Sequence, residues 1–236
     1  MKAYFVVSDV HSYYSEFIKA LNEAGFDINN SEHFLVLCGD AFDRGSEAVS
    51  MFNFMKSLND RLIYIRGNHE DLLFDCVKDL KENEGCASIH HYQNGTVDTI
   101  IQFKNANILE EVLEFIDNHT VDYFELDKYI FCHGWIPTKY NNNLDLDFKK
   151  EATTEEWQKC RWFNGMAEWH KGNKLDNRTV VCGHWHCSYG NYNYHNIGSG
   201  EFESDSSFES FVDTGIIALD SCTAFSKKVN VLKILI

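Results

Sequence analysis

Five times along this 236-residue chain, an apolar run of strand length stops at a cluster of Asp, His or Asn. Residues 3–7 (AYFVV) lead into Ser8-Asp9-Val10-His11, residues 33–38 (HFLVLC) into Gly39-Asp40, and residues 61–66 (RLIYIR) into Gly67-Asn68-His69-Glu70. Further on, residues 129–132 (YIFC) end at His133-Gly134-Trp135, and residues 179–182 (TVVC) end at Gly183-His184-Trp185-His186. Helical spacing fills the gaps between the first three runs. Phe17, Ile18, Leu21 and Ala24 share one face over 15–24, with Gly25 placed to cap it, and Val49, Phe52, Met55 and Leu58 do so over 46–58. Strand alternating with helix is the pattern of a parallel sheet, and open α/β sheets take their ligands at the carboxyl ends of the strands. The chain is therefore expected to be α/β, with its chemistry gathered where the strands stop.

The remainder adds less. Residues 71–120 are expected to be mainly helical, most clearly over 71–82 and 107–118 with a polar Gly/Asn-rich stretch between them, and 71–125 is expected to form a helical insertion or cap over the site. Residues 140–170 are polar with scattered Trp157, Trp162, Phe163 and Trp169. Residues 196–210 read as a mobile loop rich in Ser, Gly and acid, and 215–219 and 229–236 as closing strands. Without internal repeats or a dividing linker, 1–236 is expected to be a single domain.

Charge limits the partners. Asp plus Glu number 36 against 21 Lys plus Arg, a net charge of −15. Such a chain repels nucleic-acid polymers and anionic membranes, and an anionic substrate needs a local source of positive charge, from metal or Arg. No run approaches the roughly 18 apolar residues of a membrane span, and the first seven residues are too short and too soon polar for a signal peptide, so a cytoplasmic location is expected. The eight cysteines lack paired CxxC spacing; Cys38, Cys132, Cys182 and Cys222 lie in apolar runs and read as buried thiols. Cys182-x-His184-x-His186-Cys187 reads as strand end rather than structural zinc site, and Cys187 as an inert thiol. His33, His90, His91, His119, His170 and His195 read as surface histidines, and Tyr189, Tyr192 and Tyr194 as a packed or exposed loop before an aromatic rim for a nucleobase.

The strand-end donors suit a metal. Carboxylate oxygen, imidazole nitrogen and amide oxygen together fit Zn, Mn, Fe or Ni. In Asp9-x-His11 and His184-x-His186 the spacing puts two donors on the same side of an extended segment. The supply is large enough for two ions sharing a carboxylate, the arrangement that clamps both oxygens of an in-line phosphoryl displacement.

The ordered blocks Asp9-Val-His11, Gly39-Asp40-Ala-Phe-Asp43-Arg44-Gly45, Gly67-Asn68-His69-Glu70, His133-Gly134 and Gly183-His184-Trp-His186 resemble the calcineurin-like metallophosphoesterases. The second and third blocks are most similar to the serine/threonine phosphoprotein phosphatase branch, which includes small bacterial and phage phosphatases and symmetrical diadenosine tetraphosphate hydrolases. The resemblance implies a four-layer sandwich of two mixed β-sheets flanked by helices. It implies Asp9, His11, Asp40 and His186 as ligands of one metal and Asp40, Asn68, His133 and His184 as ligands of a second. A bridging water made acidic by the two cations would supply hydroxide. His69 is similar to the family's general acid, Asp43 to the group that orients it, and Arg44 to a phosphate clamp. Arg161 is the candidate for a second clamp, ahead of Arg66. Departures from the family's pattern are Ser8 and Ser12 around the first block, Trp135 after His133-Gly134, where it would crowd or line the pocket, and the H-x-H of the last block, which is closer to the wider superfamily than to eukaryotic protein phosphatases.

The resulting expectation is a phosphoesterase with two divalent ions, manganese first and then Fe, Zn or Ni, acting on phosphomonoesters of serine or threonine in proteins or peptides. The alternatives are hydrolysis of dinucleoside tetraphosphates or other nucleotides, and a non-catalytic metal-bound scaffold. Small phosphoesters and phosphoproteins are the expected partners; nucleic-acid polymers and membranes are not.

Overall fold

The first apolar run forms β1 (Ala3–Val7), buried along its whole length. Its alternate residues face opposite ways, as side chains of a strand must. Ala3, Phe5 and Val7 join one core, and Tyr4 and Val6 another. A strand buried on both faces has to sit inside a layered structure. The computed structural model describes residues 1–137, 148–175 and 177–236 and shows those layers.

One sheet comprises β1, β2 (His33–Cys38), β3 (Leu62–Ile65) and β4 (Thr120–Val121), all parallel, with β10 (Leu232–Leu235) antiparallel on the far side of β1. The second sheet has the order β5 (Phe124–Leu126), β6 (Tyr129–Phe131), β7 (Thr179–Cys182), β9 (Ile216–Ala218), β8 (Phe211–Asp213). Its three inner strands are parallel and its two edges antiparallel. Val6, Val36, Cys38 and Ile65 meet Phe131, Val181 and Leu219 between the sheets. Helices α1 (Tyr14–Glu23), α2 (Ala48–Ser57), α3 (Asn68–Glu82), α5 (Thr96–Asn105) and α6 (Leu109–His119) supply the layer against the outer face of the first sheet, and the short α4 (Ile89–Gln93) lies against α5. The second sheet is covered by α7 (Phe148–Glu151), α8 (Thr154–Cys160), α9 (Gly165–His170) and α10 (Cys187–His195); a short α11 (Thr223–Ser226) precedes β10. The result is the four-layer sandwich of two mixed sheets. Each of its cores holds several fully buried large side chains, worth about 1.5–3 kcal/mol apiece over exposure.

Several local outcomes differ from the sequence reading. α3 starts at Asn68 rather than at 71, because the Glu70 carboxylate turns back to accept the Gly67 N–H at 2.7 Å and so serves one of the orphan donors of the helix start. The stretch between the two clearest helices of 71–120 is itself helical, as α4 and α5. Val97, Ile100 and Phe103 of α5 pack into the same core as α1 and α2, and its Gly95–Thr96 end reaches the Asp43–Arg44 turn. Trp135 does not line a pocket: it is buried in the core of the second sheet. Tyr189 and Tyr194 pack against that same core, while Tyr192 is exposed. Residues 140–147 of the polar stretch lie outside the described residues. No disulfide links the cysteines, and no helix of the described residues is long and apolar enough to cross a membrane.

Candidate metal centre

The carboxyl ends of β1, β2 and β3 meet those of β6 and β7. The Cys38 carbonyl at the end of β2 accepts from Ser8 Oγ at 2.9 Å and from His133 Nδ1 at 2.7 Å. Gly183 N donates to the His133 carbonyl at 2.7 Å, and His184 N to Asp9 Oδ2 at 2.9 Å. The His133–Cys38 and His184–Asp9 bonds run between the two sheets and the other two between adjacent strands of one sheet, so each turn is held by a neighbour rather than by its own strand. Asp9, His11, Asp40, Asp43, Arg44 and His184 all have positive φ, between 51° and 74°. Non-glycine residues hold that conformation only where their surroundings over-determine it, and such residues concentrate at functional sites.

Among the described residues, two groups of ligand atoms form, each with its members within 4.8 Å of one another: His11, Asp40 and His69, and Asp40, His133 and His184. Asp40 belongs to both. His11 Nδ1 donates to the Phe42 carbonyl at 2.9 Å, and His133 Nδ1 donates to the Cys38 carbonyl, so in each ring Nε2 is the nitrogen left for an ion. Tying one imidazole nitrogen to a carbonyl is how proteins fix the tautomer of a ligating histidine. Asn68 Oδ1 lies 2.8 Å from His133 Nε2, which puts the amide oxygen at the edge of the second group.

The electrostatics suit cations. Burial pushes His11 well below the usual imidazole range, with Arg44 and His69 adding to it, and burial together with His133 takes His184 down to about 3. Both rings therefore offer neutral lone pairs. Burial alone would raise Asp40, but the surrounding imidazoles of His133, His69 and His11 outweigh it and hold the carboxyl well below its ordinary value. His133 is its counterpart: burial lowers it, and Asp40, 3.3 Å away, more than reverses this and raises it to about 10. Asp9 is pushed up by burial and by the nearby Asp220 carboxylate. Two buried acids beside the neutral imidazoles of His11 and His184 supply carboxylate oxygen and imidazole nitrogen together, so the residues present fit divalent ions.

The remaining expected residues fall into place unevenly. His69 Nδ1 sits 2.7 Å from Asp43 Oδ2, and its Nε2 is 3.3 Å from Arg44 Nη2. Asp9 is buried at the site without joining either three-residue group. His186 is turned outward, with Nδ1 2.8 Å from Ser188 Oγ, Nε2 3.5 Å from Glu201 Oε2, and its ring against Phe202. Arg161 donates to Asp71 Oδ2 at 2.5 Å and to Asp122 Oδ1 at 2.6 Å, and Arg66 donates to Asp71 Oδ1 at 2.7 Å.

Three side chains at the site went unassigned in the sequence. Glu70 accepts from the backbone N–H groups of Asp40, Ala41 and Gly67 and from Tyr64 Oη, all within 3.0 Å, which locks the β2 and β3 turns together. It stands in a quoted block, so its position could have flagged it. Asp220 follows an apolar run (IIAL), the same strand-end signal that exposed the other clusters. Thr96 carries no such signal; only the fold brings it to Asp43.

The family model for calcineurin-like phosphoesterases matches residues 4–211. A symmetrical bis(5′-nucleosyl)-tetraphosphatase of Nitrosospira multiformis is 29% identical over 137 residues, which are 58% of this chain and 45% of that protein. One of Buchnera aphidicola subsp. Schizaphis graminum is 34% identical over 84 residues, 36% of this chain and 30% of that protein. The matches thus span less than half the length of these curated relatives. Among solved structures, a cold-active protein-tyrosine phosphatase of a psychrophilic Shewanella sp. aligns with TM-score 0.55 and 17% identity over 99% of this chain and 75% of that one. A protein serine/threonine phosphatase from Saccharomyces cerevisiae aligns with TM-score 0.51 and 16% identity over 78% and 61%. At these identities the likeness is one of fold.

Proposed function

The chain belongs to the calcineurin-like phosphoesterases, and from that premise we propose that it is a metal-dependent phosphoesterase hydrolysing phosphomonoesters. The observation that carries the reading is Asp40, a buried carboxylate common to two ligand groups and set beside His69, Asp43 and Arg44. Divalent ions held there supply positive charge to the phosphoryl group and acidify water. We assign them to Asp9, His11, Asp40, Asn68, His133, His184 and His186, the last after its ring turns from Ser188 and Glu201. Manganese is our first choice of metal.

The chain's own groups do the rest. Arg44 binds phosphoryl oxygens through charge-assisted hydrogen bonds. His69, held through Nδ1, gives a proton from Nε2 to the departing oxygen. Asp43 keeps the ring oriented and balances its charge. An assembled acid matters most when the leaving group is a poor one, such as the alkoxide of serine or threonine. That favours phosphoserine and phosphothreonine as substrates.

A second reading, dinucleoside tetraphosphate hydrolysis, is favoured by Trp162. Its ring is 47% exposed, lies 5.7 Å from that of His184, and lines a cleft of about 370 Å³ with Asn68, Arg66 and Gln158, a surface on which a base could stack. The curated relatives named above carry that activity in their names. The test is a panel of Mn, Fe, Zn and Ni against a phosphopeptide, a dinucleoside tetraphosphate, an aryl phosphate and a simple phosphodiester. Turnover of none of them by metal-loaded protein would sink the phosphoesterase reading.

A further inference from the structure

We infer that Thr96 is a positioning residue for the proton-donating histidine, and that α5 is the element holding the Asp43–Arg44 turn in its working shape. The inference rests on the reading of His69 as the group that protonates the leaving oxygen. Thr96 is fully buried at the first position of α5. Its hydroxyl donates to Asp43 Oδ2 at 2.7 Å, and that same oxygen meets His69 Nδ1 at 2.7 Å. Asp43 Oδ1 is buried and has no hydrogen-bond partner among the described residues. The two bonds to Oδ2 are therefore what set the plane of the carboxylate, and one of them comes from Thr96. A hydroxyl bonded to a charged acceptor is roughly twice as strong a tether as a neutral pair.

The contact is not isolated. Gly95, with φ +78°, lies so close to the turn that a Cβ there would fall 2.6 Å from Arg44 N. About two helical turns further on, Gln102 Nε2 donates to the Gly45 carbonyl at 3.1 Å, and Gln102 Oε1 accepts from Ala48 N at 3.0 Å. Phe103 packs edge-on to Phe42, with ring centroids 5.3 Å apart. One helix thus touches the chain at positions 42, 43, 44, 45 and 48. Asp43 and Arg44 both have left-handed backbone, with φ of 74° and 59°, which costs energy unless surrounding contacts enforce it. Gly95, Thr96, Gln102 and Phe103 are those contacts, so the segment between α3 and β4 tunes the acid although none of its residues lies in a metal-ligand group.

The test separates orientation of the acid from general damage. Thr96→Val keeps the shape and loses the hydroxyl; Thr96→Ser keeps the hydroxyl. Phenyl phosphate, with a poor leaving group, and 4-nitrophenyl phosphate, with a good one, are compared at saturating manganese. Thr96→Val is expected to lower kcat for phenyl phosphate by about 10-fold, the scale of one lost charge-assisted bond, and to leave 4-nitrophenyl phosphate within about 2-fold. KM and bound manganese should not move, and Thr96→Ser should restore the phenyl phosphate rate. Thr96→Ala, measured identically, replaces the valine variant if that does not fold. In parallel, in protein loaded with diamagnetic zinc, the downfield N–H proton resonance that His69→Asn removes should shift in Thr96→Val and return in Thr96→Ser, a readout independent of turnover. Equal slowing of both substrates, no slowing, or an unmoved resonance overturns the role of Thr96. If His69→Asn itself slows the two substrates equally, the fault lies in the reading of His69 instead.

Discussion

His69 Nδ1 lies 2.7 Å from Asp43 Oδ2, and its other nitrogen, Nε2, faces Arg44 Nη2 at 3.3 Å and Asp40 Oδ2 at 3.9 Å. One side of the ring is tied to a buried acid and the other looks into the centre. His69 also falls within a ligand group with His11 and Asp40, so it is placed to donate a proton or to hold an ion. The Asp43 tether favours the first role, since it holds Nδ1 and leaves Nε2 directed into the centre. His69→Asn should therefore keep both metals while kcat falls by about 10²–10⁴-fold. Steady-state kinetics with elemental analysis of the same sample checks this, and loss of metal alongside activity would make His69 a ligand.

Asp40 is common to both ligand groups, and its backbone is fixed from two sides: Asp40 N donates to Glu70 Oε2, and its carbonyl accepts from His11 N. Removing its charge takes a ligand from two ions at once. Asp40→Asn should lower metal content from two ions toward none and abolish turnover together with it. Chelation of the unaltered protein should do the same, and readdition of manganese should restore activity. The net charge of −15 makes this dependence steep, because removing the ions takes away most of the positive charge that offsets it at the centre. Retention of one tightly held ion in Asp40→Asn would show that the two groups bind independently.

The strand ends were legible because sheet geometry is simple: parallel neighbours finish on one edge, so five polar clusters after apolar runs had to converge. That logic reaches as far as the backbone goes. It brought His11, Asp40, Asn68, His69, His133 and His184 together, but it says nothing of rotamers, which is why His186 beside Asp40 was expected and His186 turned to Ser188 was not. The short strands β4, β5 and β8 lie at sheet edges and are partly exposed, so they lack the buried apolar run that marks the equally short β6 and β9. Thr96 was invisible for a different reason: its partner Asp43 is 53 residues away, and a lone threonine at a helix start is ordinary.

Arg161 was expected to reach phosphate, yet both its terminal nitrogens are taken by carboxylates, and its neighbour Asp71 is shared with Arg66. Arg161 is 6% exposed, and the pair joins α3 to the end of α8. Removing one member of a buried pair leaves the other without its partner. Because Asp71 keeps Arg66, the cost of Arg161→Ala should be about 1–3 kcal/mol, below that of a wholly abandoned charge. Urea unfolding would measure this, with KM for an aryl phosphate expected to change less than about 2-fold. A 10-fold rise in KM instead would mean that the guanidinium leaves Asp71 to hold substrate.

Asp220 closes β9 with its side chain buried near the site, and Asp220 Oδ1 accepts from Cys222 N at 2.7 Å. Burial raises its carboxyl to about 6, against the pull of the Cys222 N–H and Arg44. A carboxyl that titrates higher when folded than when unfolded weakens the fold as pH rises from the unfolded value, near 4, to the folded one, near 6; above that the penalty is constant. Asn at this position would keep the bond to Cys222 and remove the charge. In chelated protein, Asp220→Asn should therefore be more stable than the parent at pH 7.5, by up to about 3 kcal/mol for a shift of about two units. The advantage should shrink between pH 6 and pH 4 and vanish below, where both side chains are neutral. Loading the centre with manganese should reduce the advantage at pH 7.5, because nearby cations favour the carboxylate. Urea unfolding at pH 4, 6 and 7.5, with and without metal, gives these differences directly. A stability gain of the same size at all three pH values would show that the effect is packing and not charge.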